Sequence, residues 1–235
     1  MKKLSLFLIL PLLIFVTSCT MVIKSISKKV ANDFDDHTDL NVSGLMLTGK
    51  DGKTESFGTL FNGKTVYMYV WKLGPLTPPA DADSAYVRLK KRFNKYNDVV
   101  FINLYNGDKT EDWNTLQSVQ NKNVKSYRLT ADAVNQEFKD LMGPTTSPQI
   151  VGSDGKILSF KGPKPTDKLV VDYVLYQARS GQDGTISSKQ LIKGINSKLH
   201  FKDKRLTTWY TDFYGKKPEG KLSATISSSG SQVGL

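Results

Sequence analysis

Two predominantly apolar segments, separated by an amphipathic one, restrict the fold of this chain more than any other feature. Residues 65–71 and 99–104 are runs of β-branched, aliphatic and aromatic residues, typical of strands buried on both faces of a sheet. Between them, residues 81–96 place apolar side chains at helical spacing and basic side chains on the opposite face. This succession predicts a parallel βαβ unit inside an α/β sheet.

The segments on either side of this unit extend the same pattern. Asp51-Gly52 and Asp154-Gly155 each lie between two strand-like runs, and Asp-Gly is a signal for a tight hairpin turn. Three further segments have helical spacing and one has the composition of a short strand: 109–120, 132–142, 167–178 and 127–129. We therefore predict an α/β domain over residues 40–180, with a central sheet flanked by helices and an N-terminal β-hairpin.

The first 18 residues have the organisation of a secretory signal peptide. Lys2 and Lys3 precede an apolar run at 4–16, which is too short to span a bilayer, since that takes about 20 residues. The run leads into a Val-Thr-Ser-Cys sequence that resembles the lipobox of bacterial lipoproteins. This resemblance implies cleavage before Cys19 and attachment of acyl chains such as palmitate to it. Thr20, the next residue, resembles the signal for sorting to the outer membrane.

Residues 19–39 have mixed charge and scattered apolar side chains, which predicts a tether between the lipid and the domain. The segment 32–39 contains four aspartates and His37. Carboxylate oxygens suit Ca²⁺, but the segment lacks the central glycine and terminal glutamate of a known calcium-binding loop. A solvated linker is the preferred interpretation and a cation site the alternative. We predict no metal site and no cofactor.

A family resemblance covers the predicted domain. Asp-Gly-Lys at 51–53, Leu-Phe-Asn-Gly-Lys at 60–64 and the apolar strand that ends in Trp71 together resemble the opening of the TlpA/ResA-like thioredoxin-fold proteins. Ser147-Pro148, ahead of the second hairpin, resembles the cis-proline strand of that family. The resemblance implies a thioredoxin-like fold and a cis peptide bond before Pro148, an isomer that only about 5–6% of such bonds adopt in folded proteins.

The redox motif of that family is missing. Its members carry Cys-x-x-Cys after the strand that ends in tryptophan, and here Pro75 and Pro78 lie near the two cysteine positions. Cys19 is the only cysteine, and thiol–disulfide exchange requires a thiolate. The resemblance therefore implies a former active-site groove without redox catalysis, and we predict that the protein is not an enzyme. The groove would be formed by Trp71, Pro75, Pro78, Ser147 and Pro148.

Composition excludes several other functions. Two histidines cannot form a three-histidine metal site, and the chain has no Gly-x-Ser-x-Gly motif. The 33 basic and 22 acidic residues give a net charge of +11, but the densest basic cluster, at 88–95, fits the solvated face of a helix. For an exported protein we expect acidic lipid headgroups or an acidic protein surface as partners, rather than nucleic acid.

Residues 181–235 extend beyond the family domain. Residues 187–195 could form a short capped helix, and 215–235 is rich in glycine, serine and lysine, which predicts mobility. Between them lies a basic and aromatic segment of the kind that anchors protein interfaces. Its candidate interface residues are Arg205, Trp209, Tyr210, Phe213 and Tyr214. The alternative, held equally open, is that these aromatic side chains pack back onto the domain.

Together these features predict a membrane-anchored, thioredoxin-like lipoprotein that acts as a binding or accessory subunit of a cell-envelope protein assembly. The alternative is a thiol-independent enzyme or a carrier of a small ligand that uses the former active-site groove. In the first case a stoichiometric protein partner should co-purify. In the second a small ligand should bind near Trp71 and Pro148.

Overall fold

The computed structural model describes residues 25, 27, 29–32, 34, 40–71, 80–107, 113, 124–143, 147–227 and 232–234, with the backbone alone for 80–83 and 232–233. The strands are β1 Met46–Gly49, β2 Thr54–Ser56, β3 Thr65–Trp71, β4 Val99–Tyr105, β5 Lys125–Leu129, β6 Ser147–Val151, β7 Ile157–Ser159, β8 Thr225–Ser227 and β9 Gln232–Gly234. The helices are α1 Phe57–Phe61, α2 Ala80–Phe93, α3 Ala133–Met142, α4 Val170–Ala178, α5 Gly184–Gly194 and α6 Lys204–Tyr214. Within these described residues, no helix is long and apolar enough to cross a membrane.

The centre of the fold is a seven-stranded sheet in the order β2-β1-β5-β4-β3-β6-β7. Strands β3 and β4 pair in parallel, with Thr65 opposite Val99 and Trp71 opposite Tyr105. Strand β5 also runs parallel to β4, whereas the outer strands on both sides pair antiparallel. All seven residues of β3 are buried, as expected of a central strand covered on both faces. The predicted α/β fold, with its central sheet flanked by helices, is confirmed.

The two faces of the sheet differ in composition, because successive side chains of a strand point to opposite sides. We call one the aromatic face, with Tyr67, Tyr69, Trp71, Phe101 and Tyr105. We call the other the aliphatic face, with Val66, Met68, Val70, Ile102 and Leu104. Side chains of α2, α4, α5 and α6 cover the aromatic face, and side chains of α1 and α3 cover the aliphatic face.

Both predicted hairpins are present. In the first, β1 and β2 pair across the Asp51-Gly52 turn, and in the second, β6 and β7 pair across Asp154-Gly155. Gly52 and Gly155 have φ of 77° and 80°, in the left-handed region that favours glycine. Gly155 is the more constrained of the two, since a Cβ there would collide with the Ser43 hydroxyl, whereas a Cβ on Gly52 would meet nothing.

Helix boundaries differ from prediction at several places, and α2 ends at Phe93 rather than at residue 96. Helix α4 begins at Val170 rather than at residue 167, because Leu169 has φ of 64°, which a right-handed helix cannot accommodate. Helix α5 begins at Gly184 rather than at 187, because the Asp183 side chain accepts a hydrogen bond from the Ile186 amide and caps the first turn. The predicted helix 109–120 lies outside the described residues, except for the helical Trp113.

The prediction that residues 19–39 form a tether is wrong for the residues of this segment that the structure describes. Ala31 and Phe34 are almost completely buried in the core on the aromatic face. The Thr185 hydroxyl donates to the Ala31 carbonyl at 2.8 Å, and the Phe160 amide donates to the Phe34 carbonyl at 2.9 Å. The apolar residues of this segment therefore pack as part of the fold. The acidic remainder, including His37, lies outside the described residues.

The C-terminal extension is also an integral part of the fold. Helix α5 packs against α4, and Leu222, Ala224 and Ile226 are buried after α6. The Lys168 amide donates to the Thr225 hydroxyl at 2.8 Å, which ties this segment to the start of α4. The predicted mobility of 215–235 is therefore wrong for residues 222–227. Their alternating apolar side chains bury enough surface to order a segment of low overall hydrophobicity.

Candidate functional site

The residues of the former active-site groove that the structure describes lie at one end of the sheet. Trp71 ends β3, at the carboxyl end of the parallel pair, where open α/β sheets commonly bind ligands. Ser147 begins the neighbouring β6, opposite Val70, and Pro148 follows opposite Tyr69. The structure thus brings Trp71, Ser147 and Pro148 together. Pro75 and Pro78 lie outside the described residues.

The indole of Trp71 is buried and held by a specific hydrogen bond. Its Nε1 donates to the Asn103 side-chain oxygen at 3.1 Å, and its ring centroid lies 4.7 Å from that of Tyr69. Only 7% of Trp71 and 2% of Asn103 are exposed. A buried indole nitrogen needs such a partner, since leaving a polar group unpaired is costly. Trp71 is therefore part of the packed end of the sheet.

The Ser147-Pro148 segment corrects one prediction. The described residues contain no cis peptide bond, so the bond before Pro148 is trans rather than cis. Trans is the default isomer, and here the register between β6 and β3 runs through Pro148 without interruption. The trans bond therefore counts against the family resemblance, which implied a cis bond here, whereas the α/β sheet itself is present in the strand order and pairing.

The polar groups beside Pro148 are occupied within the protein. The Gln149 side-chain nitrogen donates to the Ser147 hydroxyl at 3.0 Å, and the Gln149 side-chain oxygen accepts from the Lys161 amide at 3.0 Å. The Pro148 carbonyl accepts from the Gly162 amide at 2.8 Å. Ser147 is 5% exposed and, among the described residues, no histidine or carboxylate is hydrogen-bonded to it, so none of these residues activates its hydroxyl as a nucleophile.

Tyr69 and Asp167 are among the ionisable groups on the aromatic side of the sheet whose pKa values are perturbed. Burial and, to a smaller extent, the nearby Asp167 carboxylate together raise the pKa of Tyr69 to about 12. Burial also raises the pKa of Asp167 to about 6, against hydrogen bonds from the Ser227 hydroxyl and the Lys164 amide that favour the charged form. Tyr69 therefore stays protonated at neutral pH and cannot act as a base or nucleophile.

Sequence reasoning missed Asn103 and the buried aspartates Asp167 and Asp172. A local signal existed for two of them. Asn103 interrupts an apolar strand, and Asp172 interrupts the apolar run of α4. A polar residue in such a run must find a partner when it is buried. Asp167 gave no signal, because its partner Ser227 is 60 residues away in the chain.

The candidate interface residues of the C-terminal extension differ in burial: some are in the core and the others are accessible. Trp209 and Phe213 are 6% and 5% exposed, and their rings stack at 5.8 Å within the core. The interface interpretation is wrong for Trp209 and Phe213, because other aromatic side chains cover the face of α6 on which these two residues lie. Phe93 and Tyr173 are two of these, with ring centroids 5.0 Å from Phe213 and 4.7 Å from Trp209 respectively.

The other candidate residues of α6 remain accessible. The Arg205 side chain is 91% exposed, and its guanidinium donates to Asp203 at 2.8 Å. Tyr210 and Tyr214 are half-buried. An interface on this helix would therefore use its exposed edge. Among the residues that the structure describes, no three His, Cys, Asp or Glu side chains are grouped to hold a metal ion. Cys19 lies outside these residues.

Comparisons with known proteins find likeness in structure only. No family model matches the sequence, and no curated protein matches it. The thioredoxin domain of a thiol-disulfide oxidoreductase from Bacteroides vulgatus is 18% identical, with a TM-score of 0.40, over 51% of this chain and 84% of that one. A thiol-disulfide oxidoreductase from Bacteroides fragilis is 15% identical, with a TM-score of 0.42, over 51% and 88%.

A thioredoxin-like protein from Bacteroides caccae is 11% identical, with a TM-score of 0.44, over 56% of this chain and 46% of that one. These likenesses concern the fold alone. What the chain does has to be argued from its own residues.

Proposed function

We propose that this protein is a lipid-anchored accessory subunit of the cell envelope, in which a thioredoxin-like domain binds a protein partner without catalysing a reaction. One observation carries the proposal: the only cysteine is Cys19, the residue that ends the lipobox-like sequence. Lipidation of its sulfur would leave residues 20–235 without a thiol. Thiol–disulfide exchange and peroxide reduction by a cysteine both need a thiolate.

The described end of the sheet supports this proposal. Trp71, Ser147 and Gln149 use their polar groups on one another or on neighbouring groups of the fold. Tyr69 is held in its protonated form. None of these four buried residues is available as a nucleophile or a general base for a thiol-independent enzyme. These residues therefore favour binding over the alternative of catalysis.

The chemistry is tested with the full-length chain carrying Cys19→Ser, purified in mild detergent. With dithiothreitol as the reductant, we expect the protein to reduce insulin disulfides no faster than the reaction without protein. We expect the same result for the reduction of peroxide. A thioredoxin with an intact Cys-x-x-Cys serves as the positive control. Measurable turnover by the cysteine-free protein would refute the non-catalytic assignment.

The anchor is tested with the same substitution in cells fed a labelled fatty acid. We expect the wild-type protein to be labelled and to fractionate with the outer membrane, and Cys19→Ser to carry no label. Cys19 is the only side chain able to form a thioether, so residual labelling would contradict the lipid anchor. Partner binding is then tested by affinity purification from native membranes, where a stoichiometric envelope protein should accompany the wild-type chain.

A further inference from the structure

A cleft lies where the C-terminal extension meets the helices that cover the aromatic face. Its volume is about 610 Å³, within the range of small-molecule sites. Its walls come from α2, from the segment before α4, from α6 and from the segment that follows α6. Because α6 and the chain after it form one wall, the sheet domain at 40–180 would not form this cleft alone.

Charged side chains dominate the polar part of the cleft. Its lining contains four cationic side chains, Arg88, Arg92, Lys168 and Lys221, and two carboxylates, Asp172 and Glu219. At neutral pH with both carboxylates ionised, the lining has an excess of two positive charges. Low-dielectric walls concentrate the field of such charges in a concave site, which favours an anionic occupant.

One of the cations is fixed by a buried network. The Arg92 Nε donates to one oxygen of Asp172 at 2.7 Å, and the Tyr214 hydroxyl donates to the other at 2.6 Å. The Asp172 side chain is 3% exposed, whereas Arg92 is 29% exposed and reaches the cleft. Burial raises the pKa of Asp172, and the charge and hydrogen bond of Arg92 oppose that shift. The network joins α2, α4 and α6 and holds the guanidinium in place before a ligand arrives.

The remaining lining is apolar or aromatic. Ala85, Leu169 and Leu222 are buried side chains that reach the cleft, and Tyr210 lies half-buried beside them. An inorganic ion would leave these groups without contacts. A ligand with both an anionic group and a carbon skeleton would use the charged and the apolar parts together.

We propose that this cleft binds a small organic anion, whose carboxylate or phosphate group is held by Arg92, Lys168 and Lys221. A planar guanidinium pairs with either group through two parallel hydrogen bonds, and the lysines add charge at the rim. The inference does not depend on the proposed function, because Trp71, Ser147 and Pro148 are not part of the cleft.

The test is isothermal titration calorimetry on the full-length protein in mild detergent at constant ionic strength. Citrate and glycerol 2-phosphate are the two probes, and glycerol is the uncharged control. The variant Lys168→Gln with Lys221→Gln removes two charges from the cleft. The matched variant Lys216→Gln with Lys217→Gln removes two charges from exposed positions nearby that do not line it.

We expect at least one probe to bind and glycerol not to bind. The cleft variant should weaken binding by about tenfold, because each charge-assisted hydrogen bond is worth more than a neutral one. The matched variant should keep the wild-type affinity, and both should keep the wild-type melting temperature. The probe that binds identifies carboxylate or phosphate as the recognised group. Failure of both probes to bind, or equal weakening by the two variants, would overturn the proposal.

Discussion

Different parts of the chain cover the two faces of the sheet. The buried cluster on the aliphatic face is formed entirely by residues between Val42 and Phe160. The cluster on the aromatic face also takes in Phe34 from the N-terminal segment and side chains from α5, α6 and the chain beyond. Among the described residues, the segments outside 40–180, at both ends of the chain, therefore pack on one face.

The difference in chemistry follows the same division. The aliphatic face is covered by two helices, α1 and α3, and its core side chains are almost all aliphatic or phenylalanine. The aromatic side contains the buried carboxylates Asp167 and Asp172, which are paired with groups of the C-terminal extension, the hydroxyls of Ser227 and Tyr214. The additions are thus bound to the domain by specific polar contacts as well as by burial, and they create the basic cleft.

The largest expected effect tests whether α6 belongs to the core. Phe213→Ala removes a ring that is 5% exposed and whose centroid lies 5.0 Å from the centroid of the Phe93 ring. The free energy of unfolding should therefore fall by about 3–5 kcal/mol. Urea unfolding followed by circular dichroism measures the loss. A change below about 1 kcal/mol would mean that α6 is not packed on the aromatic face in solution.

The second-largest expected effect is a pH dependence of the free energy of unfolding, caused by a buried carboxyl group on the aromatic side of the sheet. The pKa of Asp167 is raised from 3.8 to about 6 in the folded protein, so the folded state binds its proton more tightly than the unfolded chain does. Stability from this group is fully present below about pH 4 and is lost as the pH rises through 6, by about 3 kcal/mol in all. Asp167→Asn should flatten this part of the stability profile, measured by urea unfolding at closely spaced pH values.

A second variant separates this cause from other titrations. The Ser227 hydroxyl donates to Asp167 and favours its charged form, so Ser227→Ala should raise the carboxyl pKa further. The loss of stability should then extend to higher pH than in the wild type. An unchanged profile in both variants would contradict a titration of Asp167 in this range.

A smaller effect concerns the hydrogen bond that fixes Trp71. Asn103→Leu leaves the buried Trp71 Nε1 without an acceptor, and the free energy of unfolding should fall by about 1–3 kcal/mol. Adding Trp71→Phe removes the unpaired donor. The double variant should therefore lose less than the sum of the two single variants in urea unfolding, and strict additivity would show that the bond contributes nothing.

The sequence predicted the parts of the fold that depend on local patterns. The apolar run of β3, the helical spacing of α2 and the two Asp-Gly turns each carry their signal within a few residues, and all four are confirmed. The packing of the two ends could not be predicted in this way. Phe34 and Ile226 gain their partners from distant parts of the chain, and neither lies in a strongly periodic segment.

The candidate site shows the same limit. The position of Trp71 beside Ser147 and Pro148 could be predicted, because it follows from the strand order. The Asn103 partner of Trp71 depends on the register between β3 and β4, and the split of α6 into buried and exposed edges depends on what covers the aromatic face, so local patterns predicted neither. A periodicity of 3.6 residues shows that Trp209 and Phe213 share a face, without showing what covers that face.

The smallest expected change in stability gives the sharpest test of the remaining interface residues. Arg205 is on α6 but points away from the core, with a side chain that is 91% exposed and paired only with Asp203 among the described residues. Exposed ion pairs add little to folding, so Arg205→Ala should leave the melting temperature within about 2 °C of the wild type. Affinity purification from native membranes should nevertheless recover several times less of the partner, because arginine at an interface is often an energetic anchor. Lys189→Ala, an exposed position on α5, is the matched control and should recover as much partner as the wild type. If Arg205→Ala also recovers the wild-type amount, the exposed edge of α6 is not the partner surface, and the additions serve only to cover the aromatic face.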